Sequence, residues 1–118
     1  MSVGMRSANY QTLEAYTVPS GGCTKMGLTK IGDTVGFFYE TKDAGDDVTV
    51  VCQMDAVELA KKDGSGEAIS QGAKVYYEAA SGKLTGTAGS NTLCGRAIKA
   101  AGADDTTVLV AFNGLVAA

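Results

Sequence analysis

Glycine-bearing turns cut this chain into short pieces, and the pieces between them are rich in valine, threonine and aromatic residues. Sixteen glycines stand against one proline, Pro19, in 118 residues. Branched and aromatic side chains fit the pleated, half-buried surface of a sheet, and glycine supplies the positive φ that tight turns require. The pattern predicts an all-β protein: a single small β-barrel or β-sandwich domain of short antiparallel strands. One core suits the length, because a chain of this size buries about two thirds of its unfolded surface.

Residues 1–9 are small and polar without periodicity, which reads as an extended N-terminal arm ahead of a barrel-like domain over 10–118. From Tyr10 to Val18, Tyr10, Thr12, Glu14 and Tyr16 alternate with Gln11, Leu13 and Ala15, and the turn Pro19-Ser20-Gly21-Gly22 ends the strand. Leu28–Ile31 and Thr34–Glu40 flank Gly32-Asp33, a hairpin-type dipeptide. Phe37 and Phe38 are neighbours, so they point to opposite faces; one belongs to the core and the other meets a second sheet or a subunit. Val48 to Met54 carries the plainest alternation, Val48, Val50, Cys52 and Met54 against Thr49, Val51 and Gln53, and the strand continues through Leu59.

Lys61 to Gln71 reads as a surface loop with at most one short helical turn. Val75–Glu78 and Lys83–Thr85 form a second hairpin with Gly82 at its positive-φ position, and Tyr76 and Tyr77 offer one ring to each face. Leu93–Lys99 and Thr106–Phe112 are the last strands, with Val108, Val110 and Phe112 on one side and Leu109 and Ala111 on the other. No internal repeat divides the chain.

The absence of histidine removes the usual general base, pH switch and metal ligand together. Cys23, Cys52 and Cys94 are widely spaced, odd in number and without a Cys-x-x-Cys pair, which predicts buried, reduced thiols rather than a disulfide framework or a zinc site. Asp46-Asp47 and Asp104-Asp105 sit in glycine-containing turns just before apolar strands, where aspartate serves turn geometry. Gly22 to Thr29 has the spacing of a phosphate-binding loop, but Leu28 stands where the lysine is needed and Ile31-Gly32-Asp33 prevents a following helix. A net charge of −3 and scattered basic residues argue against nucleic acid. The first twenty residues lack the apolar run of a signal peptide, and no stretch matches a membrane span of about 20 apolar residues. A soluble product without enzymatic activity, cofactor, metal or membrane partner is therefore expected.

Several segments, taken in order, resemble the small head-decoration, or capsid cement, proteins of tailed phages. They are Pro19-Ser20-Gly21-Gly22, Glu67 to Tyr77, Gly82-Lys83-Leu84-Thr85, Asn91 to Ala97 and Asp105 to Val110. The most specific are Gln71-Gly72-Ala73-Lys74-Val75-Tyr76-Tyr77 and Asn91-Thr92-Leu93-Cys94-Gly95-Arg96-Ala97; Phe37-Phe38 and the long segment before Tyr10 depart from the family pattern. The resemblance implies a structural virion protein, assembled in the bacterial cytoplasm, that binds the major capsid protein from outside as a homo-oligomer, a trimer or a dimer. Capsid or subunit contacts are expected at Met1, Ser2, Val3, Met5, Arg6, Tyr10, Phe37, Phe38, Tyr76 and Tyr77. The alternative is a β-barrel module that binds carbohydrate or another host-surface ligand through Tyr76, Tyr77 and aspartates.

Overall fold

The structure, a computed structural model, describes residues 10–114. Its eight strands are β1 (Tyr10–Thr17), β2 (Leu28–Ile31), β3 (Thr34–Phe38), β4 (Asp47–Ala60), β5 (Lys74–Glu78), β6 (Lys83–Thr85), β7 (Thr92–Ala97) and β8 (Thr107–Asn113), and no helix interrupts them. All strand pairs are antiparallel, in the order β2-β3-β4-β8-β7-β5-β6, with β1 added on β4. Both expected hairpins form: Ile31 pairs with Thr34 around Gly32, and Glu78 pairs with Lys83 just after Gly82. These two glycines have φ of +60° and +70°, the left-handed region that side chains avoid.

The sheet curls into a nearly closed barrel. Its seam lies where β4 ends: Lys61 bridges Leu84 in parallel fashion, and the Lys62 amide donates to the Leu84 carbonyl at 2.8 Å. Inside are Phe37, Leu59, Val75, Leu84, Val110 and Phe112, all but removed from water. Burying each such side chain is worth about 1.5–3 kcal/mol, which makes this layer the main source of stability.

β4 does more than a simple alternating strand could. Val48, Val50, Val51 and Cys52 are all buried, because Val51 faces the barrel while Val48 and Val50 face a second apolar cluster with Val18, Cys23 and Phe38. Two irregularities along β1 fit the strands together. Gln11 faces Gln53 and Thr12 faces Val51, so Cys52 is an extra residue on β4. Leu13 faces Val50 and Tyr16 faces Val48, which puts the extra residue on β1, where Ala15 takes φ +53°. Such a bulge re-aims the side chains after it, and Leu13 and Tyr16 accordingly pack on the same cluster despite belonging to opposite faces of a regular strand.

Two expectations need correction. Phe37 and Phe38 do take opposite faces, but both are interior, 2% and 6% exposed, because each face of β3 has a core of its own. Phe37 packs on Phe112 with ring centroids 5.7 Å apart, and Phe38 stacks on Tyr16 at 6.4 Å. The loop after β4 is likewise not all surface: Lys61 is fully buried and Ile69 nearly so. The Lys61 Nζ donates to the carbonyls of Lys62 at 2.6 Å, Asp105 at 3.1 Å and Ala103 at 3.4 Å, which lets a polar amine sit at the seam without an unsatisfied donor.

Candidate functional site

The residues with chemical potential are dispersed, and most are committed to holding the fold. All three cysteines are free and buried. Burial pushes the Cys94 thiol up to about 12, and its Sγ lies 3.6 Å from the Val75 carbonyl. Burial also raises Cys52, so neither sulfur is a ready thiolate. Cys23 donates to the Glu40 carbonyl at 3.4 Å. Among the described residues no group of three or more Cys, Asp or Glu is placed to hold a metal ion.

The densest charge cluster lies beside the barrel seam. Lys62 Nζ is 3.2 Å from Glu78 Oε2 and 3.7 Å from Glu67 Oε2, and the Thr85 hydroxyl donates to Glu67 Oε1 at 2.9 Å. The Glu78 carboxyl is held below its usual range, first by a hydrogen bond from Ser81 and then by Lys62. Lys62 is raised, chiefly by its hydrogen bond to Glu78. The cluster ties β5 and β6 to the end of β4, a structural arrangement rather than an acid–base pair. Asp105 is also local: its Oδ2 accepts the Gly102 amide at 2.8 Å, the turn role expected of it. Gly22 to Thr29 forms no phosphate loop, since Cys23 bridges Lys42 and the Gly27 amide returns to the Thr24 carbonyl in a tight turn.

What the outer wall offers is shallow. One groove of about 480 Å³ runs along β1 and β4; Tyr39, just after β3 and 59% exposed, stands on it with Glu14, whose carboxylate accepts the Thr12 hydroxyl at 2.6 Å and the Thr49 hydroxyl at 3.4 Å. A second, of about 270 Å³, crosses β5, β7 and β8 and is lined by Lys74, Leu93, Gly95, Arg96 and Ala111. Lys74 lies directly opposite Arg96 in the sheet. Neither the Tyr39 groove nor this paired-cation groove was evident in the sequence; the second follows from β5 pairing with β7, which would have required knowing the strand order.

Of the residues expected to make contacts, Met1, Ser2, Val3, Met5 and Arg6 lie outside the described residues, and Tyr10 opens β1. Tyr76 is half-buried on the outer wall, whereas Tyr77 points inward and joins the barrel core. Phe37 and Phe38 are in the two cores. Among the described residues, Phe37, Phe38, Tyr76 and Tyr77 are therefore not brought together on one surface.

The fold is that of a small, nearly closed antiparallel barrel of the all-β class. The comparison with known families names it further: the profile of the phage cement proteins matches residues 8–112, and the chain belongs to that family. It is thus a structural, capsid-associated phage protein whose place is the virion capsid. No curated protein and no solved structure gives a significant match.

Proposed function

We propose that this protein binds the outside of the assembled head and reinforces it, acting as a non-enzymatic homo-oligomer on the major capsid protein. The observation that carries this reading is the family match, which spans the whole barrel rather than one motif. The shape is compatible with it: a body of 40 × 39 × 22 Å is flat enough to lie on a shell. Reinforcement is linkage. A protein that prefers the closed, expanded lattice to loose subunits adds its binding free energy to the work of separating them. Several contacts per oligomer then give retention beyond that of any single contact, through effective concentration.

Residues 1–9 are proposed as a capsid contact alongside the barrel. Ligand capture by Tyr76 and Tyr77 has less support, because the two rings lie on opposite faces and do not line one concavity. The test is to add purified protein to undecorated, expanded heads and to measure bound copies and the temperature at which heads burst. Saturable binding with a raised bursting temperature is expected; heads that bind nothing would refute the proposal. Removing residues 1–9 is expected to abolish retention while the free barrel melts as before, and unchanged occupancy would dismiss the arm.

A further inference from the structure

Lys74 and Arg96 occupy directly opposed positions on β5 and β7, an arrangement that costs stability because like charges face each other across a sheet. Neither forms an ion pair with another described residue, although the chain carries more acidic than basic groups. Both are exposed, and the groove beside them is floored by Leu93, Gly95 and Ala111. A cation couple held over a small, shallow, partly apolar depression is complementary to a compact group bearing two carboxylates.

The same chain presents such a group. Asp43-Ala44-Gly45-Asp46 is a tight turn closed by the Asp46 amide donating to the Asp43 carbonyl at 3.1 Å. All four residues are exposed; the turn is anchored from behind by the Gly45 amide donating to the Val18 carbonyl at 2.9 Å, and a Cβ built on Gly45, at φ +90°, would point into open space. The two aspartates are unpaired among the described residues, since neighbouring Lys42 reaches Glu40 instead. First and fourth residues of such a turn lie within about 7 Å of each other, and directly opposed residues on antiparallel strands are about 4.5–5.5 Å apart. Each pair thus springs from backbone positions close together, and Ala44 and Gly45 are the small residues between the two aspartates.

We propose that the Lys74–Arg96 couple receives the Asp43–Asp46 turn of a second copy of this chain. Donor and acceptor surfaces differ, so the contact is head-to-tail and closes into a ring when the rotation between copies allows it. The charges set the register of the contact and speed its formation more than they add affinity. This deepens the homo-oligomer part of the proposed function and rests on it.

The experiment is a charge swap read by sedimentation across a concentration series, with head binding measured in parallel. K74E/R96E and D43K/D46K are each expected to weaken self-association at least about tenfold, and the variant carrying all four changes to recover it, because only a direct contact is restored by exchanging signs. All four positions are exposed, and thermal midpoints near wild type show that the variants are folded; K74Q/R96Q gives a milder loss in the same direction. Failure of the fourfold variant to recover, or a wild type that stays monomeric at every concentration, overturns the inference. So does a K74E/R96E protein that associates normally but no longer binds heads: the couple then meets the shell, and the capsid reading survives without this contact.

Discussion

Replacing Gly95 by alanine tests how closely β7 and β8 are packed. A methyl placed there would stand 2.4 Å from the Ala111 carbonyl oxygen and 3.3 Å from its carbon, where ordinary contact begins near 3.4 Å. The obstacle is backbone of the adjacent strand, so relief requires the strands to part by roughly 1 Å, which takes a normal hydrogen bond out of range. The pairs at risk are Gly95 with Phe112 and Arg96 with Ala111. Two weakened ladder bonds, at about 1 kcal/mol each and more where a buried group is left unpaired, give a loss of about 2–4 kcal/mol. Single domains are stable by only about 5–15 kcal/mol, so the change is large. Gly86→Ala is the control: its added methyl would lie 3.5 Å from Ile69, an ordinary contact, and it should shift stability by less than about 0.5 kcal/mol. Urea unfolding of both variants reads the difference as a lowered midpoint with unchanged slope. Equal midpoints for the two would refute the close approach of β7 to β8.

Ala15→Gly should stabilise the fold by about 0.5 kcal/mol, since relief of the left-handed strain at φ +53° outweighs the extra freedom of the unfolded chain; a lower urea midpoint would contradict the bulge. Cys94, with its thiol pushed up to about 12, should resist iodoacetamide at pH 8 until the protein unfolds, and rapid native labelling identified by peptide mass would refute its burial. Glu78 has a lowered folded pKa, so its stabilisation is present above the unfolded carboxylate value and disappears as pH falls through the lower folded one. Lys62 is the reverse case: its contribution is complete below its unfolded value and is lost only as pH rises through the raised folded one. Thermal midpoints of Glu78→Gln should therefore approach those of wild type in acid and fall below them near neutrality; parallel curves across the range would refute the coupling.

The hairpins were legible because their information is local. Gly32-Asp33 and Gly82 specify turns within a few residues, and the β-prone runs on either side need only pair with each other. β4 was legible as a strand but not as a wall shared by two cores. The burial of both Val50 and Val51 depends on a core on each face, the second built partly from Leu13 and Tyr16 of β1, which begins more than thirty residues earlier. Lys61 was misplaced on the surface for a similar reason. Its carbonyl partners at Ala103 and Asp105 are 42 and 44 residues away, and no periodicity around Lys61 announces them.

The surface was harder to read than the core, and β5 and β7 show why. The two segments that carry the family resemblance pair with each other, skipping β6, so their side chains divide into two sets. Val75, Tyr77, Cys94 and Ala97 turn inward and are accounted for by packing; Cys94 and Ala97 share a face only because the register shifts at Cys94. Gly95 is accounted for by the nearness of β8. Lys74 and Arg96 turn outward, repel each other and contribute nothing to the core, so stability gives no reason for placing them opposite one another. Read along the chain they are two scattered basic residues in an acidic protein. Only strand order makes them a couple, and a couple that costs the free fold stability is best explained by an anionic partner that the isolated chain lacks.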